Sequence, residues 1–245
     1  MKYITTLLCF TFLTCNVFGH DGEKGFEFSK NKGQWPSNVL YHTKLLQGGM
    51  FFEKNKITFD LINSNQINEL YNIKHNSPLS ETNTAENPVI NPRGITNNKD
   101  LLKRNAYSMN FRGANESPLI KAVGQLDKHI NYAIGDDQSK WASNVPVFRQ
   151  IEYQEIYDGI NMQFYSTVKN LKYDFIVSPG ANPSDIIIDY DGVKNISLDN
   201  EGSLVIKLED DEVREYRPLS YQTINGKQVI TPCKFVIENK SVRFA

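Results

Sequence analysis

Apolar residues in this chain recur at every second position in short runs, with glycine, asparagine, aspartate and proline standing between the runs. That period decides the fold class, because side chains two apart share one face of a strand, whereas a helix repeats every 3.6 residues. Ile57, Phe59 and Leu61 alternate with polar neighbours, and so do Tyr107, Met109 and Phe111. Strand runs are expected at 39–41, 50–52, 56–61, 107–111, 130–134, 145–148, 151–153, 162–165, 171–177, 186–190, 196–198, 204–208, 212–216, 219–224 and 229–237. Between two of them stands Asn225-Gly226, the pair favoured in a type I′ hairpin because both central residues need positive φ. No amphipathic helix longer than about three turns is convincing. The chain is therefore expected to be all-β, an antiparallel β-sandwich or several packed β-sheets.

Residues 63–105 break the pattern. Asn, Ser and Thr dominate, and Pro78, Pro88 and Pro92 interrupt every run, so the segment cannot bury much apolar surface. It reads as a long polar, partly disordered excursion between a first part of the β domain (20–62) and its main part (106–245), with one short ordered piece at 67–73. Residues 241–245 read as the opening of a further strand left without a partner, from which a truncated domain of a longer protein is expected.

The N-terminus bears on compartment. Lys2 supplies a positive n-region, and residues 4–18 are apolar apart from threonines, Cys9, Cys15 and Asn16. Such a stretch is too short and too interrupted to cross a bilayer comfortably, and it fits a signal peptide over 1–19, cleaved near Gly19. Leu13-Thr14-Cys15 is a loose match to a lipobox, with Thr a poor residue before a modified Cys, so a lipoprotein anchor is the alternative. Either reading gives an exported protein, secreted or on the outer cell surface, with no transmembrane segment in the mature chain. An ordinary leader takes two of the three cysteines with it, leaving Cys233, read as a buried small hydrophobe within a strand.

About 226 residues then remain, enough for a core without disulfide staples. Lys plus Arg number 27 against 28 Asp plus Glu, with no basic block, which argues against a nucleic-acid partner and against an anionic membrane surface. The four histidines (His20, His42, His75 and His129) are scattered, no HExxH or CxxC occurs, and no metal or cofactor is expected. GxSxG, P-loop and GxGxxG signatures do not occur either. Acids are plentiful at Asp136, Asp137, Asp158, Asp189, Asp191, Asp199, Glu201 and 209–212, and two of them could flank a glycosidic bond. Most stand in turns, which side-chain hydrogen bonding to the backbone explains without catalysis. Asp199-Asn200-Glu201-Gly202 carries only part of a calcium-loop signature. Trp35 and Trp141, each beside turn residues, are the candidate ligand-binding residues: an exposed indole face suits a sugar ring, although packing explains most tryptophans.

In order along the chain, these residues resemble a known family. Phe28-Ser29-Lys30-Asn31-Lys32-Gly33-Gln34-Trp35 followed by Val39-Leu40-Tyr41 is similar to the "F-x-x-N-x-G-Q-W … V-L-Y" opening of the N-terminal domain of large exported Bacteroidetes proteins. Asn131-Tyr132-Ala133-Ile134-Gly135-Asp136-Asp137-Gln138-Ser139-Lys140-Trp141 resembles its "N-Y-F-I-G-N-D-P-S-K-W" block, with Ala133 and Asp136 as departures. Asn144-Val145-Pro146, Tyr157-Asp158-Gly159-Ile160-Asn161, Leu171-Lys172-Tyr173-Asp174-Phe175, 177–183 and 221–226 continue the match. The resemblance implies a domain that precedes SBBP β-propeller-type repeats, PKD modules, or a C-terminal region for type IX secretion and gliding-associated display. It transfers no catalytic residues, and the family's closing strand and "I-D-P" motif do not follow Ala245.

The expected function is accordingly a non-catalytic, exported structural or interaction domain of a bacterial surface protein, acting in adhesion or gliding. Its partners would be downstream repeat modules or cell-surface components. The alternatives are a glycan-binding module using Trp35 or Trp141 and a carboxylate-dependent polysaccharide-active enzyme.

Overall fold

The computed structural model describes residues 25–45, 47–63, 66, 103–167 and 170–245, together with the backbone of 4–14. Its strands are β1 (Ile4–Thr14), β2 (Phe28–Lys30), β3 (Tyr41–Leu45), β4 (Gly48–Phe52), β5 (Lys56–Ile62) and β6 (Arg104–Phe111). There follow β7 (Leu119–Tyr132), β8 (Ala142–Tyr157), β9 (Ile160–Ser166), β10 (Leu171–Val177), β11 (Ile188–Asp191) and β12 (Asn195–Leu198). The last are β13 (Leu204–Lys207), β14 (Glu212–Glu215), β15 (Ser220–Ile224), β16 (Lys227–Thr231), β17 (Phe235–Glu238) and β18 (Ser241–Phe244). Single 3-10 turns lie at Gln138–Lys140 and Pro183–Asp185. The all-β expectation holds.

All the pairings are antiparallel, and one sheet runs β17-β18-β11-β6-β5-β4-β3-β2. A second runs β8-β9-β10-β1 and carries the β12-β13-β14 meander and the β15-β16 hairpin on β1. Strand β8 joins the two. Along one edge its Val147 and Phe148 hold β2, and residues from Gln150 onward hold β9, while the other edge carries β7. A strand that changes sheets in this way makes the corner of a sandwich; the change falls between Phe148 and Gln150, where the facing strand β7 also shifts register, between Gln125 and His129.

The two inner faces meet in an aromatic core. Phe52 of β4 lies 5.1 Å from Phe164 of β9, Phe111 of β6 lies 6.5 Å from Phe175 of β10, and Phe175 lies 5.9 Å from Phe244 of β18. Each such ring, taken out of water, contributes about 1.5 to 3 kcal/mol. Buried tyrosines settle their hydroxyls on backbone carbonyls, Tyr153 on Glu53 at 2.8 Å and Tyr157 on Ile187 at 3.1 Å.

Four local readings need correction. Runs 145–148 and 151–153 belong to the single strand β8, because its pairing with β7 carries on through Phe148 and Gln150 although Arg149 between them is exposed. Run 229–237 is two strands, β16 and β17, separated at Pro232, which has no N–H to give a ladder. The run at 241–245 is not unpaired: β18 pairs with β17 and β11, and Ala245 exchanges both backbone hydrogen bonds with Lys234. Cys233 is half-buried against the core rather than buried.

Strands β5 and β6 pair directly up to Ile62 opposite Arg104, so the excursion departs from one end of a finished ladder. Its base is clamped: the Asn63 amide N–H donates to the Lys103 carbonyl, the Lys103 N–H to Gln66 Oε1, and Asn63 Nδ2 to the Asp210 carbonyl. The ordered piece expected at 67–73, like the rest of 67–102 and the cleavage position near Gly19, lies outside the described residues.

Candidate functional site

Trp35 sits in the loop 31–39 between β2 and β3, and that loop is built by the residues around it. Asn31 Nδ2 donates to the carbonyls of Trp35, Pro36 and Val39 at 3.1, 3.0 and 2.7 Å. Its Oδ1 accepts from the Gly33 and Trp35 N–H groups. Buried Gln34 closes the other side, accepting from Lys32 N–H and donating to the Lys30 carbonyl. Gly33 stands at φ +110, open to glycine and costly for other residues. The N-x-G-Q-W sequence thus encodes a self-bracing turn that presents one tryptophan.

That tryptophan is half-buried among other rings. One indole face lies against the His42 imidazole at 4.5 Å, and Tyr132 and Phe51 meet the ring edge-on at 5.0 and 6.1 Å. His42 is in turn 4.9 Å from Phe51. Burial pushes the His42 pKa down to about 4, with neighbouring Lys44 adding to the effect, so the imidazole is neutral and stacks as an uncharged ring.

Trp141 is placed by the second quoted block. Asp137 caps the 3-10 turn, its Oδ1 accepting from the Ser139 N–H at 3.1 Å and from the Ser139 hydroxyl at 2.6 Å, and these bonds hold its carboxyl below the usual range. The Trp141 indole N–H donates to the Gly135 carbonyl at 2.9 Å, and the residue stays 46% exposed. Because Tyr132 pairs with Ala142, next to Trp141, both tryptophans lie at the same end of the β7-β8 ladder.

The acids named from sequence serve the fold. Asp189 takes a two-pronged contact from Arg112 at 2.8 and 2.6 Å and a third from Ser241; burial opposes its charge, yet these partners hold its carboxyl below the usual range. Asp191 accepts from Asn110, and Asp199 folds its own turn by accepting from Glu201 and Ser203 N–H groups. Asp136, Asp158, Glu201 and Glu209 are exposed. Asp199 and Glu212 converge on one cation, Arg214, at 3.3 and 3.2 Å.

Two carboxylates that sequence reasoning passed over do share a face. Gln163 on β9 stands directly opposite Glu152 on β8 and Asp174 on β10. Gln163 Nε2 donates to Asp174 at 2.9 Å, and Gln150 Nε2 bridges Glu152 and Gln163 at 2.7 and 3.1 Å. Two strand spacings separate the acids, about 9 to 10 Å, near the wide end of what an inverting glycoside hydrolase uses. Asp174 is only 2% exposed, however, and burial raises its pKa, so it is placed to order the sheet rather than to meet a substrate.

A third missed carboxylate is Glu215 on β14, wholly buried, whose two oxygens accept from the hydroxyls of Tyr173 and Tyr190 at 2.9 Å each. Burial pushes its pKa up to about 7, and the two hydroxyls limit the rise. Alternation with Val213 puts Glu215 on the buried face of β14, whereas Glu212 points to the exposed face, and that period is the local signal that could have found it.

A family model described as a domain of unknown function, DUF7948, matches residues 28–245. No curated protein and no solved structure matches the chain.

Proposed function

The chain belongs to the DUF7948 family of domains of unknown function, and we propose that it is a non-catalytic, exported interaction domain of a bacterial surface protein. The observation that carries this reading is the contrast between inside and outside. The acids named from sequence in turns and strand ends are spent on caps and ion pairs or stand exposed, while the β15-β16 flank presents Tyr216, Leu219, Val229 and Ile230 to solvent. Val229 and Ile230, consecutive on β16, leave apolar side chains exposed on both faces of the hairpin, which favours a macromolecular partner over a small substrate. The leader-like 1–19 segment supports export, and the ordered resemblance described above supports a surface protein carrying SBBP or PKD modules, with a role in adhesion or gliding. No helix among the described residues is long and apolar enough to cross a membrane.

Protease shaving of intact cells, followed by N-terminal sequencing of the released domain, tests export; a chain found only inside cells would overturn it. Turnover of any polysaccharide that is lost in Glu152→Gln would overturn the non-catalytic part. A glycan-binding reading is kept alive by Trp141, whose anchored indole leaves ring surface in water. Glycan-array binding abolished by Trp141→Ala would establish it, and silence across a broad panel would remove it.

A further inference from the structure

Strand β1 occupies an unusual position. Strand β10 has β9 on one side and β1 on the other, and β15 has β16 on one side and β1 on the other. Thr6 pairs with both Val177 and Gln222, Leu7 with both Ile176 and Tyr221, and Leu8 with both Phe175 and Ser220. Further along, Leu13 and Thr14 pair with Glu215 and Arg214 of β14. One strand therefore splints three others, and the ladders that tie the β15-β16 hairpin to the second sheet run through it. Being antiparallel to both neighbours, β1 leaves β10 and β15 parallel to each other, so the two could close on one another only through a parallel ladder.

We infer that, once residues 1–19 are removed on export, the slot between β10 and β15 is a strand-acceptor site that takes an extended, uncharged segment of another polypeptide, antiparallel to β10. The inference rests on the reading of 1–19 as a cleaved leader. The geometry defines the ligand. Removing β1 bares the backbone donors and acceptors along Leu171–Val177 and Ser220–Ile224, two edges facing one gap, where a single entering strand satisfies both. The occupant seen in the slot, Ile-Thr-Thr-Leu-Leu-Cys-Phe-Thr-Phe-Leu-Thr, carries no charge and is rich in β-branched and aromatic residues. One strand beyond the slot, Val229 and Ile230 of β16 stand 45% and 73% exposed.

The test starts from the full chain with a protease site placed within 15–24 and cut after folding, so that the domain never has to fold with the slot open. A fluorescent peptide of residues 4–14, flanked by lysines for solubility, is then offered beside the same peptide carrying Leu7→Pro. The expected result is one-to-one exchange of the labelled peptide into the slot, with amide protection at 171–177 and 220–224 present in the filled state and lost when it is empty. Leu7→Pro, which removes an N–H at a doubly paired position, should bind at least roughly tenfold more weakly. Equal binding of both peptides, absence of exchange, or edge amides that stay protected after the leader has left would each overturn the acceptor site. Mass spectrometry of the exported protein separates that failure from failure of the premise. A mature chain still beginning before Ile4 would mean that its own strand fills the slot permanently, whatever the peptide does in vitro.

Discussion

Two antiparallel strand pairs of this domain, β5-β6 and the hairpin β15-β16, are built from similar alternating sequence and end in very different surroundings. Along β5, and in β6 from Tyr107 onward, every second residue is buried, and Phe59 stacks flat on Tyr107 with centroids 4.3 Å apart. In β15-β16 the same alternation yields half-buried and exposed positions, and the hairpin's other ladder is to β1. The difference teaches that local chemistry makes a hairpin, whereas an opposing sheet makes it part of a core. Asn225 and Gly226, at φ 50 and 76, form the I′ turn without help from burial.

Substitutions break this comparison in graded ways. Phe59→Ala should cost about 3 to 5 kcal/mol in urea unfolding, since a stacked, buried ring leaves a cavity. Glu215→Gln tests the buried anchor of the meander beside the exposed hairpin. Its carboxyl titrates at about 7 when folded against an ordinary 4.5, so the folded state holds the extra proton between those values. Stability from this group is complete below about pH 4.5 and lost as pH rises through about 7, a swing of up to roughly 3 kcal/mol. Unfolding midpoints measured across that window should slope downward in the native chain and flatten in Glu215→Gln. Gly226→Ala, which forces a Cβ into positive φ, should cost about 1 to 2 kcal/mol and show as faster amide exchange over 220–231. Ile230→Ala should stay within about 0.5 kcal/mol, because its side chain is already in water; a larger loss would mean the flank is covered.

Strand positions were legible where one face is buried and the other wet, as in Ile57-Thr58-Phe59-Asp60-Leu61. The stretch 119–129 of β7 was not, because no side chain in it is buried: Ile120 and Ala122 only half-cover themselves against the core, and from Gly124 onward even that alternation lapses. The quoted family motifs were legible as turns, and Asn31, Gln34, Asp137 and Asn182 each prove to bond backbone around a bend. The Trp35 cluster was half legible: the tryptophan was singled out, but the rings from β3, β4 and β7 that pack on it come from up to 97 positions away. Glu152 and Asp174 were missed because Gln163, which links them, lies on the strand between theirs, and Glu215 because its partners Tyr173 and Tyr190 lie on β10 and β11, which do not pair with β14.

The clamp at Asn63, Gln66 and Lys103 makes the β5-β6 junction a natural port. Closing a longer connection there costs only about 0.6 kcal/mol for each doubling of its length, and the ladder beneath it is already complete. Lineages can therefore lengthen, shorten or replace whatever hangs from this junction without renegotiating the sandwich, and a fluorescent protein or epitope grafted between 66 and 103 should report on the domain while leaving its core untouched.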